Sequence, residues 1–203
     1  MRRIPETFDQ ADGEQSTPEL ILLNGPPGIG KSTLARLFSD RHPGTLNLDV
    51  DQVRCLIGGW QEYFQAAGNL VRPIALTMAA THLAAGHRVI MPQFLDSDQE
   101  IALFRNVARK SGAGFREVVL MDTQESSIER FYARGDKHDP WHARVTAIVE
   151  QNGGPQLLKS MYIGLTNGLH NRGSASVISS RRGAIEETYA RLVEALSVEP
   201  IHH

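Results

Sequence analysis

Cysteine is nearly missing from this chain: Cys55 is the only one in 203 residues. No intrachain disulfide can form, and a cysteine-based zinc site is excluded. A dominant charge is missing too. The 21 Lys and Arg nearly balance 23 Asp and Glu, for a net charge of −2, which gives no overall electrostatic footprint for nucleic acid or an anionic membrane. No uncharged apolar run reaches the length that spans a bilayer. The opening stretch MRRIPETFDQADGEQSTPE has Arg2 and Arg3 but no apolar centre of the kind a signal peptide needs. Together these absences predict a cytoplasmic protein without membrane contact. They also predict a flexible polar leader over 1–18 and one domain over 19–203. Cys55 itself sits in an apolar run with Val53, Leu56 and Ile57, which reads as a packed thiol with no catalytic role.

Along the chain, short apolar runs alternate with helical patterns. Glu19 to Asn24 (ELILLN) stops at a Gly/Pro cluster and is followed by Leu34, Ala35, Leu37 and Phe38 at helical spacing. Further strands are expected at Thr45 to Leu48, Arg88 to Leu95, Phe115 to Met121 and Ser174 to Ser179. Helices are expected at Leu70 to Ala85, Gln99 to Lys110, Glu125 to Arg134 and Ala184 to Leu196. In the first of these, Leu70, Ile74, Met78 and Thr81 share one face, read as the apolar side, and Gly86 is the stop. Strands separated by helices need right-handed crossovers, which predicts an α/β doubly wound fold with a mainly parallel five-stranded sheet covered on both faces. Gly135 to Arg172 breaks the rhythm with Pro140 and Gly153-Gly154-Pro155, and reads as a partly helical lid insertion over about 135–172.

Gly25-Pro26-Pro27-Gly28-Ile29-Gly30-Lys31-Ser32 matches G-x-x-x-x-G-K-[ST] in full, between a strand and a helix. The glycines let backbone N–H groups converge on phosphate oxygens, and the helix N-terminus adds positive potential. Lys31 would reach the β- and γ-phosphates, and Ser32 would ligate Mg²⁺, with Thr33 completing the nucleotide-binding segment. ATP and Mg²⁺ are the expected ligands; adenine against guanine is left open.

The second strand ends in Asp49-Val50-Asp51 with Arg54 three residues further on. Ligands in such sheets sit at the carboxyl ends of the strands, so both carboxylates should face the γ-phosphate. Two apart in an extended segment, they would share a side. Asp51 is assigned as the base that orients the acceptor hydroxyl and Asp49 to the Mg²⁺ shell, with the two roles interchangeable at this level. The competing reading is that Asp51 only caps a helix starting at Gln52.

A P-loop followed by a strand ending in D-x-D-x-x-R resembles the small P-loop kinases that include chloramphenicol phosphotransferase, zeta toxin, shikimate kinase and phage polynucleotide 5′-kinase. The resemblance implies a P-loop NTPase fold, an Asp51 that meets the acceptor hydroxyl, and an Arg54 that contacts the acceptor or its phosphate. Arg130 and Arg134 stand four apart, on one face of a predicted helix just before the insertion. Guanidinium groups there would neutralise charge on the transferring phosphoryl group, and R-x-x-x-R at this point also resembles the lid of those kinases. Both are expected to be catalytic, Arg134 foremost; Glu129 and Asp136 could instead pair with them. Arg181 and Arg182 loosely match the adenine contacts of related kinases and are not assigned.

Related polynucleotide kinases carry an acidic residue after the third strand, whereas this chain has Gln93, an amide that could hydrogen-bond a neutral acceptor. The third strand also lacks a terminal Asp-Glu pair, which argues against motor or AAA+ ATPases and favours transfer over hydrolysis. His138 and His142 are spaced as a metal pair, but Pro140 between them argues against zinc. Trp60, Tyr63, Phe64 and Trp141 are available to line an acceptor pocket. The expected activity is phosphoryl transfer from ATP to a hydroxyl of a small molecule such as an antibiotic, sugar or metabolite. The alternatives are a polynucleotide or nucleotide-sugar kinase, with nucleic acid the less favoured partner, and an ATP-binding regulatory module without transfer.

Overall fold

Glu19–Asn24 forms β1, and every residue after Glu19 in it is buried. Burial on both faces of a strand requires neighbours on either side and helices above and below. The computed structural model, which describes residues 17–134, 139–170 and 172–197, supplies all of these. The other strands are β2 (Leu46–Asn47), β3 (Val89–Pro92), β4 (Gly114–Met121) and β5 (Ser176–Ser179). They form one five-stranded sheet in the order β2-β3-β1-β4-β5. Every pairing is parallel, with Leu22 beside Met91 on one side and Glu117 on the other.

Eight helices complete the described chain: α1 (Lys31–Arg41), α2 (Val50–Cys55), α3 (Phe64–Ala84), α4 (Asp98–Lys110), α5 (Gln124–Ala133), α6 (Pro140–Gln151), α7 (Pro155–His170) and α8 (Ile185–Ser197). Alternate residues of β1 build two cores. Leu20 and Leu22 pack with Val89 and Met91 under α3 and α4. Ile21 and Leu23 pack with Ile90, Val118 and Leu120 against Leu34 and Phe38 of α1 and Leu192 of α8. A third, smaller cluster joins Phe131 of α5 to Val149 of α6 and Leu158 of α7. No described helix is long and apolar enough to cross a membrane.

One expectation needs correction. The buried side of α3 is Ala67, Val71, Ala75, Ala79 and Leu83, whereas Leu70, Ile74 and Met78 are 57%, 40% and 36% exposed. A stripe dominated by alanine lets the helix axis approach its neighbours closely, an advantage that side-chain hydrophobicity alone does not register. The segment expected to be partly helical holds α6 and α7. Pro140 opens α6 from its first turn, behind an Asp139 cap that accepts from Trp141 N at 2.9 Å. Gly153 and Gly154, both at positive φ, make one tight turn into α7. The expected leader up to Pro18, apart from residues 17 and 18, lies outside the described residues, as do Asp136 and His138. His142, the other half of the proposed metal pair, places Nδ1 3.0 Å from Asp139 Oδ2.

Candidate active site

Between β1 and α1 the segment Gly25 to Gly30 forms a loop wedged against two other elements. Gly25 (φ 144°) approaches β4 so closely that a Cβ there would sit 2.5 Å from Leu120 O, and one on Gly28 (φ 86°) would sit 2.6 Å from Phe131 N. Neither position has room for a side chain. Ile29 is fully buried beneath the loop, Pro26 O accepts from Ile29 N at 3.3 Å, and Pro27 follows in the outer turn. Ser32 and Thr33 open α1 and are exposed. Lys31 Nζ donates to Gly25 O at 2.8 Å and Pro26 O at 3.0 Å. Burial and then the positive charge of Arg134 pull the Lys31 ammonium down to about 7, against the opposing pull of Asp51 and Asp49.

Asp49, not Asp51, caps α2: its Oδ1 accepts from Asp51 N at 3.1 Å. This corrects the expectation of two carboxylates on an extended segment, because Asp51 lies in the first turn of α2. A helix there starts as soon as a side chain can accept its free amides, and Asp49 is first in line. Asp51 therefore keeps its carboxylate for other work. Burial, then the neighbouring Asp49, push it up to about 6, while Arg54, Lys31 and Arg134 act in the opposite direction. Cys55, at the end of α2, is half-buried rather than fully packed, and burial raises its thiol pKa, in keeping with no nucleophilic role.

Arg54 is held flat, its Cζ 4.4 Å from the ring centroid of Phe64 and 5.5 Å from that of Trp141. Gly68 leaves the space for its guanidinium, and Nε is buried without a hydrogen-bond partner. Trp141 also packs on Trp60 and Phe64, with both centroid separations 5.6 Å. The aromatics thus join α6 to the α2–α3 wall beside Asp51; Tyr63 points out to solvent. Gln93 follows β3, its backbone N donating to Leu23 O at 3.1 Å. Its Oε1, like Oδ1 of Asn47 at the end of β2, is buried with no partner.

The two arginines separate. Arg130 donates to Ser180 O and Ile29 O, both at 2.6 Å, and stands 3.5 Å from Asp122. Arg134 falls just beyond α5 in an extended conformation (φ −81°, ψ 153°), stacks on Phe131 at 4.8 Å, and acts electrostatically on Lys31 and Asp51. Four-residue spacing aligns side chains only while the helix lasts, and α5 ends between them. Arg130 instead lines a cavity of about 170 Å³ with Gly30, Thr33, Ser180, Arg181 and Thr188, on the other side of the loop. Lys31, Asp49, Asp51, Arg54 and Arg134 are therefore brought together, and Arg130 is not among them. Arg181, unassigned from sequence, lines the same cavity as Arg130.

A family described as AAA domain matches residues 20–152. The chain belongs to this AAA domain family. Among solved structures, this AAA domain is similar to shikimate kinase from Acinetobacter baumannii in complex with shikimate, at 16% identity and a TM-score of 0.61, covering 90% of this chain and 94% of that one. It is similar to a gluconokinase from Sinorhizobium meliloti 1021 at 17% identity and a TM-score of 0.53, covering 89% and 95%. The tunicamycin resistance protein of Deinococcus radiodurans gives 14% identity and a TM-score of 0.57, covering 93% and 100%. No curated protein matches the chain. The fold is that of the small P-loop kinases. Its β3 ends at Pro92 without an Asp-Glu pair.

One buried polar group of the AAA domain was not foreseen. Asn24, Glu117 and Arg172 are 0%, 3% and 8% exposed and meet directly behind the phosphate loop. The available signal was Asn24 closing the apolar run of ELILLN and Glu117 entering the apolar run of GFREVVLM, both on central strands of the sheet.

Proposed function

We propose that this chain transfers the γ-phosphoryl group of ATP to a hydroxyl of a small molecule. The observation that carries the reading is the joint placement of Lys31, Asp51, Arg54 and Arg134 in one electrostatic group beside the Gly25 to Gly30 loop. The loop fits a polyphosphate because Gly25 and Gly28 leave room where a Cβ would collide, and Lys31, bonded only to two loop carbonyls, can exchange them for phosphate oxygens. Ser32 Oγ and the Asp49 carboxylate are the groups suited to Mg²⁺, whose charge, when bound, neutralises the phosphate oxygens. The cavity lined by Arg130, Thr33 and Arg181 accepts the nucleoside.

Asp51, poised near 6, takes the acceptor proton as the acceptor oxygen bonds to phosphorus and the bond from phosphorus to the ADP oxygen breaks. Lys31 and Arg134 stabilise the charge on the phosphoryl oxygens. Arg54, with an unpartnered Nε, and Gln93, with an unpartnered Oε1, are the acceptor contacts, and Trp60, Phe64 and Trp141 are its apolar wall. α6 and α7 act as the lid of a single kinase domain, and dependence on ATP fits a cytoplasmic location. The test is mass spectrometry of ATP and Mg²⁺ incubated with hydroxylated metabolites, antibiotics and oligonucleotides. A small-molecule product gaining one phosphoryl group supports the reading. Phosphorylated oligonucleotides alone would point to a polynucleotide kinase, and nucleotide binding without any product to a regulatory module.

A further inference from the structure

Asn24 uses its whole side-chain amide in four hydrogen bonds. Oδ1 accepts from Gly25 N at 2.8 Å and Leu95 N at 3.0 Å; Nδ2 donates to Leu95 O at 2.7 Å and to Glu117 Oε1 at 2.9 Å. A single carbonyl oxygen thus ties the first amide of the phosphate loop to an amide two residues past Gln93. The orientation of that amide is set from behind. Glu117 can only accept when ionised, so the face of Asn24 turned toward it must be Nδ2, and Oδ1 is left to the two backbone amides.

Glu117 is in turn held by Arg172, whose Nη1 lies 3.3 Å from Oε1. The same guanidinium donates to Asp98 Oδ1 and to Asp96 O, each at 2.6 Å. It lies against α7 where Gly168 leaves space, since a Cβ there would sit 2.8 Å from Nη2. Arg172 therefore links the return end of the α6–α7 segment and the start of α4 to β4. Burying an ion pair this deeply gives little net stability compared with apolar packing of the same shape. What it does provide is a fixed arrangement.

We propose that Glu117 and Arg172 are positioning residues for phosphoryl transfer. Acting through Asn24, they set the spacing between the phosphate loop and the Gln93 to Leu95 segment, and so between donor and acceptor. The claim that this spacing serves transfer rests on the kinase reading above; the claim that the pair sets the spacing does not.

The test uses full-length wild type, Glu117→Gln and the double variant Glu117→Gln/Arg172→Met, which removes both charges and leaves none buried alone. Folding is checked by circular dichroism. Amide exchange by NMR and binding of the non-hydrolysable analogue AMPPNP with Mg²⁺ by calorimetry are then measured. In a folded variant, exchange at Gly25 and Leu95 should rise at least about tenfold while amides of the β1–β4 ladder stay protected, and AMPPNP affinity should fall about tenfold. Unchanged exchange at Gly25 and Leu95 would overturn the proposal, as would a uniform loss of protection across the sheet, which a merely structural pair would give. Changed exchange with unchanged AMPPNP affinity would overturn the link to nucleotide positioning. If wild type itself binds no AMPPNP, the kinase reading fails, while the exchange data still decide whether the pair sets the spacing.

Discussion

The backbone amide of Asp51 donates to Oδ1 of Asp49 across 3.1 Å, and that bond divides the work of the two carboxylates. Asp49 is committed to the start of α2, and Asp51 faces Lys31, Arg54 and Arg134 with its own carboxylate free of capping. Replacing Asp51 by Asn should lower turnover by about 10²–10⁴-fold, the usual contribution of a positioned base. AMPPNP affinity should stay within about threefold. Near wild-type turnover in Asp51→Asn would remove the base assignment. Asp49→Asn keeps a good cap, so its expected effect is a higher Mg²⁺ requirement at nearly unchanged stability.

The pH profile follows from the same pair. Asp51 works as a carboxylate and Lys31 as an ammonium, so kcat/KM for ATP should rise through about pH 6 and fall through about pH 7. With nucleotide bound, phosphate charge beside Lys31 favours its protonated form, and the alkaline limb of kcat should move up by at least a unit. A kcat/KM for ATP that is flat between pH 5.5 and 8 would contradict both assignments.

Stability should move in the opposite sense to activity. The folded-state pKa of Asp51 lies above its unfolded value of 3.8, so the native state binds more protons between 3.8 and about 6, and stability falls as pH rises through that window. Asp51→Asn relieves this above pH 6. A gain of about 2–3 kcal/mol is expected at pH 8, or roughly 4–12 °C in Tm for a chain of this size, with little gain at pH 4. Thermal melts at the two pH values check it.

The sheet was legible because β1, β3 and β4 are short apolar runs and the phosphate loop carries its own spacing. What escaped were choices made at boundaries. Whether Arg130 and Arg134 align depends on α5 ending at Ala133, and nothing in SIERFYAR marks that end. Whether Asp49 or Asp51 caps depends on a two-residue shift of the helix start. The face of α3 was misread because alanine contributes little to an apolar pattern, yet Ala67, Ala75 and Ala79 let the helix pack closely. Gly153-Gly154-Pro155 breaks the strand and helix rhythm of a segment read as partly helical, and it marks a single turn between two helices.

Arg130 and Arg134 should separate experimentally as they do in space. Arg134→Ala is expected to reduce kcat by about 10–10³-fold with a change in stability within about 0.5 kcal/mol. Arg130→Ala strips two bonds from the carbonyls of Ile29 and Ser180. It should lower stability by about 1–3 kcal/mol and weaken nucleotide affinity. Denaturant titrations beside steady-state kinetics distinguish the two patterns; equal effects from both variants would contradict the separation.

Gly28→Ala sets a Cβ 2.6 Å from Phe131 N at a φ of 86°. Steric overlap and backbone strain together should lower stability by about 2–4 kcal/mol and abolish AMPPNP binding. Alanine at Gly86, also at positive φ but with nothing within 4 Å, should cost only about 1 kcal/mol. The difference between the two variants, read from their denaturation midpoints, isolates the packing part.

Both partners of β1 lie far downstream: Leu22 pairs with Met91 and with Glu117, and its strand has no neighbour closer in sequence. During synthesis this central strand leaves the ribosome before either of the strands that will pair with it. About 100 residues must follow before both of its edges are satisfied, so early folding depends on slow, long-range closure. A nascent chain halted within α4 would present ELILLN with one bare edge, which is where a chaperone or a second nascent chain would find it.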